Sequence, residues 1–441
     1  MVQQQAQVNQ AAPSAETFAG LSIVQRASQP RRRQRPRIGV ALAGGGPLGA
    51  IYEIGALAAL AESLAGLDFN EADVYVGVSA GGFIAAGLAN GITPHQFSRF
   101  FIEGDRSFDH FDPTMLLRPA LGEYARRVAS LPPLMAGAAF EWLVGGRQLM
   151  SAFERLGRAI PTGLFSGEEV DRYLARVFSQ PGRSNDFHKL AHKLYLVATN
   201  LDTGASVTFG AKGHAAVPIS RAVQATAALP GLFPPVEIHG SHYVDGALRK
   251  TLHASVALEE DLDLLICLNP LVPYDASPEA QGHRSDPRSM HRLVEGGLPV
   301  VLAQTFRSII HSRLGAGMER YRSAYPHTDI LLLEPSRADA AMFFTNLFSY
   351  SNRRRLCEHA YQKTRHDLWV RRHELAPLLR RHGVELVTEV LADRNMSLVK
   401  SLRQRRSGWF ESAASDATRS LEHTLDDLER WLRLTHPGLP A

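Results

Sequence analysis

A serine between two glycines is the first candidate for chemistry in this chain. Ser79 lies in the segment GVSAGG, directly after the apolar run VYVGV. The pattern G-x-S-x-G marks a sharp strand-to-helix turn that exposes a nucleophilic hydroxyl, and Gly77 and Gly81 fit where neighbouring backbones leave no room for a Cβ atom. In such a turn the amide of Ala80 points toward a developing oxyanion. The segment therefore predicts a serine nucleophile.

A glycine-rich segment upstream of the serine could bind negative charge. GGGPLG at 44–49 follows an apolar run and opens a helical pattern, and it also matches the dinucleotide fingerprint G-x-G-x-x-G. That fingerprint expects an acidic residue at the end of the second strand, but this strand ends at Val78, and Asp73 precedes it. We therefore favour a nest of amides that binds an oxyanion. Because Pro47 has no N–H group, the expected donors are the amides of Gly44, Gly45 and Gly46.

A base must take the proton of the serine, and two kinds of base follow Ser79 in the chain. Asp245 lies in the segment VDGA, where an Asp-Gly pair most often forms only a turn. In an α/β-hydrolase the order serine, acid, histidine would make a histidine the base, but that fold places its elbow after several strands. Here the elbow follows the second predicted strand, which favours Asp245. The histidines that qualify by order are His253, His283, His291, His311 and His327.

The elements that must hold these residues alternate between strands and helices. Apolar runs at 38–43 and 74–78 predict buried strands, each followed by a tight glycine turn and an apolar helix. This order predicts an α/β fold with a parallel sheet. Residues 95–185 are expected to be mostly helical, and residues 217–236 are expected to form one helix ended by prolines. Further strands are predicted at 193–201, 206–210, 242–247, 263–270 and 329–335.

The order of these motifs resembles the patatin-like phospholipase family. GGGPLG, GVSAG and DGA follow one another as the family's motifs do, and ATNLDTGASVTF (198–209) and ATAALPGLFPPV (225–236) are also similar to family members. The resemblance covers roughly residues 37–335 and implies a three-layer α/β/α sandwich around a mostly parallel sheet. Two positions depart from the family. Leu48 stands where Arg or Lys is usual, and Ala247 stands in a motif that often reads D-G-G.

The resemblance also implies a site and a reaction. Ser79 would be the nucleophile and Asp245 the base of a Ser–Asp dyad, without a metal or cofactor. The implied activity is hydrolysis of lipid acyl esters through an acyl-enzyme, as in a phospholipase A or a lysophospholipase. A lipid transacylase and a non-catalytic lipid-binding protein are the alternatives. The oxyanion hole would comprise Gly44, Gly45, Gly46 and Ala80, and the supporting glycines are Gly49, Gly77, Gly81 and Gly246.

Composition suggests the domain organisation. The chain has 441 residues, of which 45% are hydrophobic, so it is long enough to bury a large core. Residues 1–36 are polar and then basic, which predicts a disordered basic leader. Residues 37–335 form the predicted catalytic domain, and residues 336–441 a helical C-terminal extension in which Leu421, Leu425, Leu428 and Leu432 share one face. Two cysteines give no disulfide framework, so a reducing, cytoplasmic location is expected.

The expected partner is membrane lipid or a lipid aggregate, and no nucleic acid is expected. The most apolar stretch, residues 38–64, contains a glycine cluster, a proline and Glu53, which a membrane-spanning helix tolerates badly. The first residues lack the features of a signal peptide. The basic cluster around Arg31, Arg32 and Arg33 predicts peripheral contact with an anionic lipid surface. The sequence makes no prediction of oligomeric state.

Overall fold

The computed structural model describes most of the chain between residues 20 and 403. The described ranges are 20–31, 33–103, 161–275, 293–344 and 350–403, with Ser277 and short pieces between 116 and 129. Several sequence predictions fall outside these ranges, among them the four leucines at 421–432, the helical character of residues 131–160, and His283 and His291.

The two apolar runs that precede the glycine motifs form strands, as the sequence predicts. In the described residues the strands are β1 (Leu21–Gln25), β2 (Ile38–Leu42), β3 (Leu64–Ala65), β4 (Val74–Gly77), β5 (Lys193–Asn200), β6 (Ser206–Phe209), β7 (Val236–Ile238), β8 (Ser241–Asp245), β9 (Leu264–Leu268), β10 (Asp329–Leu333) and β11 (Glu385–Leu386). Nine of them form one sheet in the order β1-β10-β9-β2-β4-β5-β8-β7, with β6 also paired to β5, while β3 and β11 pair separately.

The centre of the sheet is parallel and its flanks are antiparallel. Strands β10, β9, β2, β4 and β5 run parallel, whereas β1, β6, β7 and β8 run antiparallel to their neighbours. Every residue of β2, β9 and β10 is buried, as expected for parallel strands that are covered on both faces. The carboxyl ends of the five parallel strands therefore meet at one edge, here called the carboxyl edge, where α/β folds place their ligands.

Helices cover both faces of this sheet. Ala254, Leu258 and Met318 pack on one face, against Ala41 and Cys267. On the other face, the first helix after the glycine loop packs against the helix after Ser79 and against the long helix at 350–370. The helices are α1 (Gly46–Ser63), α2 (Ala80–Ala89), α3 (Pro94–Phe97), α4 (Glu168–Phe178), α5 (Ile219–Thr226), α6 (Ala254–Leu258), α7 (Gly297–Ala324), α8 (Ala341–Phe344), α9 (Tyr350–Val370), α10 (Arg372–Arg380) and α11 (Thr388–Ala392).

The predicted fold class is confirmed. A mostly parallel sheet lies between two helical layers, and the C-terminal region that the structure describes is helical. No described helix has both the length and the apolar composition that crossing a bilayer requires.

The N-terminal segment differs from the predicted disordered leader. Leu21 and Val24 are buried because β1 pairs antiparallel with β10 and becomes an edge strand of the sheet. Farther along, the guanidinium groups of Arg31 and Arg33 bind the carboxylate of Asp261. The prediction of disorder is therefore wrong for the described residues between 20 and 36, and residues 1–19 lie outside the described ranges.

Two further boundaries differ from the sequence prediction. The helix expected at 217–236 ends at Thr226, because the proline-containing segment LPGLFPP cannot continue it, and β7 follows. At the C-terminus, α9 packs on α1, and the first compact unit extends to Ala392 instead of ending at 335. In the second unit, which begins at Asp393, residues 398–403 are helical. The division into leader, catalytic domain and extension otherwise stays a prediction.

Candidate active site

Ser79 occupies a strained turn between β4 and α2. Its backbone has φ 54° and ψ −124°, a conformation that L-residues rarely adopt and that recurs at functional sites. The amide of Ser79 donates a hydrogen bond to the hydroxyl of Thr226 at 2.9 Å, and that hydroxyl donates in turn to the carbonyl of Val197. The strained conformation is thus held by a buried side chain from α5.

Close backbone contacts explain why the motifs need glycine. At Gly81 an added Cβ atom would lie 2.5 Å from the carbonyl oxygen of Ala43, so no side chain fits between the elbow and the end of β2. An added Cβ would come within 2.8 Å of a neighbouring atom at each of the four supporting glycines, Gly49, Gly77, Gly81 and Gly246.

The Ser79 hydroxyl lies close enough to the carboxylate of Asp245 to lower the pKa of that carboxylate. Asp245 is 2% exposed and stands at the end of β8. Its Oδ1 atom accepts a hydrogen bond from the amide of Ala247 at 2.8 Å, and its own amide donates to the carbonyl of Ala228 at 3.0 Å. The structure therefore brings together the two residues that the resemblance pairs, and the backbone fixes the carboxylate.

Burial makes this carboxylate a stronger base than an ordinary aspartate. It raises the pKa of Asp245 to about 6 from the usual 3.8, although the nearby Ser79 hydroxyl and the amide of Ala247 act in the opposite direction. At pH 7 the group is mostly ionised. A pKa of about 6 lies close to neutral pH, and a general base is most effective when its pKa is near the pH of the solution.

The described histidines occupy other places. His253 is buried, its Nε2 atom lies 3.3 Å from the carbonyl oxygen of Gly246, and burial lowers its pKa to about 4. It is therefore uncharged at neutral pH and supports the turn that carries Asp245. His311 lies beside Glu334 at 3.9 Å, and Nδ1 of His327 lies 2.6 Å from the carbonyl oxygen of Gln29.

Gly44 has a different part in the site from the one predicted. Its amide donates to the carbonyl of Thr251 at 3.3 Å, so this N–H group is already engaged and is not an oxyanion donor. A Cβ atom on Gly44 would lie 2.8 Å from Cβ of Ala247 and 3.2 Å from Cβ of Ser79. Gly44 is therefore needed because it lets the loop approach the nucleophile.

The other predicted donors remain available for an oxyanion. Gly45 is the N-cap of α1, and Gly46 is its first residue, with φ 59°. Ala80 is the first residue of α2. Among the described residues, no protein acceptor contacts the amides of Gly45, Gly46 or Ala80. Two helix N-termini, which attract negative charge, thus begin beside Ser79.

Thr226 is the functional residue that the motif analysis misses. Its side chain is fully buried, and its hydroxyl holds the amide of Ser79 in place. The segment ATAALPGLFPPV contains Thr226 and stands out in the sequence. However, neither the helical pattern nor the spacing indicates that this hydroxyl reaches a residue 147 positions earlier in the chain.

An apolar cavity begins one helical turn from Ser79. The amide of Phe83 donates to the carbonyl of Ser79, and the side chain of Phe83 lines the cavity. The rest of the lining comes from α2, α4 and the segments that follow them, and it includes Phe97, Phe101, Tyr173, Leu174 and Phe178.

Comparison with known proteins gives one family match and several distant structural likenesses. Residues 40–258 match the family model described as patatin-like phospholipase. No curated protein sequence matches the chain at a significant level. VipD from Legionella pneumophila is 13% identical, with 90% of this chain and 91% of that chain covered and a TM-score of 0.29. Human GIVD cytosolic phospholipase A2 is 12% identical, with 82% and 62% covered and a TM-score of 0.30. The type III effector protein ExoU, from Pseudomonas aeruginosa, is 16% identical, with 78% and 62% covered and a TM-score of 0.27.

Proposed function

Residues 40–258 make this chain a member of the patatin-like phospholipase family, a family of lipid ester hydrolases, and from that premise we propose that it cleaves acyl esters of phospholipids or lysophospholipids through a Ser79–Asp245 dyad. One observation carries the proposal: the hydroxyl of a serine in a strained elbow lies beside the carboxylate of a buried aspartate. Among the described residues, the carboxylate of Asp245 is the ionisable group that lies beside the Ser79 hydroxyl.

In the first half of the reaction, Ser79 Oγ attacks the carbonyl carbon of the ester while its proton passes to Asp245. The carbonyl oxygen becomes an oxyanion, for which the amides of Gly45, Gly46 and Ala80 are the available donors. Such preorganised donors often make the largest contribution to lowering the barrier of acyl transfer. The tetrahedral intermediate then breaks the bond to the alcohol oxygen, Asp245 returns the proton to that oxygen, and the acyl group stays on Ser79.

In the second half, water takes the place of the alcohol. Asp245 removes a proton from the water molecule as it attacks the acyl carbon, the same amides stabilise the second oxyanion, and the bond to Ser79 Oγ breaks. The proton returns from Asp245 to the serine. The fatty acid leaves, and both groups regain their starting states.

Apolar surroundings support a lipid substrate. The cavity lined by Phe83 and its neighbours begins one turn of α2 from the nucleophile, so apolar and aromatic side chains lie on this side of Ser79. Leu48, on the first turn of α1, replaces the basic residue usual in the family, so headgroup recognition at that position does not depend on charge.

The proposal is tested by turnover of a short-chain, water-soluble ester and of a phospholipid by the full chain. Ser79→Ala should lower kcat on both by about 10⁴-fold or more, and Asp245→Asn by about 10³-fold or more. Ser63→Ala is the matched control, because Ser63 is a fully buried serine whose hydroxyl has no hydrogen-bond partner among the described residues. The control should retain wild-type kcat. Near-wild-type turnover by Ser79→Ala or by Asp245→Asn would contradict the dyad.

A further inference from the structure

The first half of α7 carries an exposed apolar stripe. Leu298 is 69% exposed and Phe306 is 49% exposed. At 100° per residue the exposed apolar positions fall on one face of the helix. Soluble proteins rarely leave such a contiguous apolar face in water unless it makes contact with something. The residues of this surface, here called the α7 stripe, are Leu298, Val301, Leu302, Phe306 and Ile309.

Contacts with the turn after Asp245 and with the segment after β9 place α7 next to the catalytic residues. A guanidinium nitrogen of Arg313 lies 3.5 Å from the carbonyl oxygen of Leu248, three residues after Asp245. The side chain of Gln304 accepts a hydrogen bond from the amide of Tyr274 at 3.0 Å and donates one to its carbonyl at 2.7 Å. Because Tyr274 follows β9, these bonds fix the first half of α7 at the carboxyl edge.

A second group of exposed apolar side chains lies on another side of the site. The loop after α5 contains Leu229 and Leu232, and its Ala228 carbonyl accepts the amide of Asp245. Backbone hydrogen bonds join the same loop to Leu164 and the residue after it, and Leu164 in turn accepts from the segment around Leu121. The group, here called the leucine rim, comprises Leu121, Leu164, Leu229 and Leu232, all exposed.

The charges around the α7 stripe favour an anionic surface. Within α7 the residues up to Met318 include two arginines and no aspartate or glutamate, whereas Glu295, two residues before the helix, is exposed. Arg249 and Lys250 are exposed in the turn after Asp245, and Arg313 is exposed on the same helix one turn after Ile309. An apolar face bordered by basic side chains is typical of a helix that lies in the interface of an anionic membrane.

We propose that the α7 stripe, together with the leucine rim, seats the enzyme on the surface of an anionic lipid bilayer and so presents Ser79 to esters held in that bilayer. This inference rests on the proposed function, because the lipid substrate is the reason for choosing a bilayer over a protein partner. The proposal assigns lipid contact to the α7 stripe and the leucine rim, whereas the sequence analysis assigns it to the basic leader. Asp261, which binds Arg31 and Arg33, precedes β9, so these arginines lie at the amino ends of the parallel strands, opposite the carboxyl edge.

Vesicle co-sedimentation tests the proposal on the full chain in a Ser79→Ala background, so that no lipid is consumed. The vesicles are phosphatidylcholine alone, or phosphatidylcholine with one-fifth phosphatidylserine. We expect binding to be stronger on the anionic vesicles. The triple variant Leu298→Ser, Leu302→Ser, Phe306→Ser should lower the partition coefficient at least tenfold. The matched control is Val370→Ser, since Val370 is 57% exposed but belongs to α9, and it should bind as the parent does.

Wild-type vesicle binding by the triple variant would overturn the proposal. A change from dimer to monomer in the triple variant, with vesicle binding retained, would also overturn it and would identify a second copy of the chain as the occupant. With Ser79 intact, the ratio of vesicle turnover to soluble-ester turnover should fall at least tenfold in the triple variant, and an unchanged ratio would count against the stripe. Absence of soluble-ester turnover in the parent enzyme would refute the dyad instead, and the two failures are therefore distinguishable.

Discussion

Replacing Asp245 by Asn should stabilise the folded protein while it removes activity. The pKa of Asp245 is about 6 in the fold and 3.8 in its ordinary state, because burial disfavours the charged form. Above pH 6 the carboxylate is ionised in both the folded and the unfolded chain, and the fold carries the full cost of its burial. Below pH 3.8 the group is protonated in both states and the cost disappears. The amount by which Asp245 lowers the free energy of unfolding therefore grows as pH rises from 3.8 to 6.

The size of the effect follows from the shift. A difference of about 2 pKa units corresponds to about 3 kcal/mol in the free energy of unfolding at pH 8, and about half of that remains at pH 5. Asn cannot ionise, so Asp245→Asn should recover up to this amount. For a folding unit of about 400 residues the entropy of unfolding is about 0.8 kcal/mol per degree, so the melting temperature should rise by about 4 °C at pH 8.

Thermal unfolding of both proteins at pH 5 and pH 8 measures this directly. The gain in Tm should be about twice as large at pH 8 as at pH 5. Ser63→Ala serves as a control, since it removes a buried hydroxyl and no ionisable group, so its change in Tm should be the same at both pH values. A lower Tm for Asp245→Asn at pH 8, or a gain that is independent of pH, would refute the assignment of a buried, charged Asp245.

Three further predictions concern the same site. The kcat/KM for a soluble ester should rise tenfold per pH unit up to about pH 6 and then level off, because Asp245 must be ionised. An imidazole also titrates near 6.5, so the pH profile is measured at two temperatures. An apparent pKa that does not change on warming identifies the carboxylate, and one that falls strongly on warming contradicts it. Thr226→Val should lower kcat about tenfold or more with KM little changed, because the amide of Ser79 loses its hydrogen-bond acceptor. Thr226→Ser keeps the hydroxyl and should retain most of the wild-type kcat. An equal loss of kcat in both variants would mean that side-chain packing, and not the hydroxyl, matters. Gly44→Ala should lower kcat, and adding Ala247→Gly should recover part of the lost kcat, because it removes the Cβ atom that lies 2.8 Å from the added one. A double variant whose kcat is no higher than that of Gly44→Ala would contradict the steric explanation.

The parallel half of the fold was predictable because its signals are local. Strands β2, β4, β9 and β10 are continuous apolar runs, and the turns after β2 and β4 are marked by glycines. The edge strand β1 lacks such a signal. It has five residues, follows a polar segment, and is stabilised by pairing with residues some 300 positions away. The three-residue strand β7 likewise depends on its partner β8, and prolines precede it in the sequence.

The candidate site shows the same division between local and non-local information. The strained turn at Ser79 agrees with its flanking glycines, and the Ser79 hydroxyl lies near the Asp245 carboxylate, the two residues that the order of the motifs points to. The engagement of the Gly44 amide by Thr251 was not predictable, because a glycine motif does not specify which of its amides already have acceptors. Burial of Asp245, which sets its pKa, depends on the whole fold.

The most direct test of the central claim is to trap the covalent intermediate. The full chain is treated with a lipid-like fluorophosphonate, digested, and mapped by mass spectrometry. We expect one adduct, on Ser79, formed much more slowly in Asp245→Asn and absent in Ser79→Ala. An adduct on a different residue, or ester hydrolysis that persists after Ser79 is fully modified, would contradict the account.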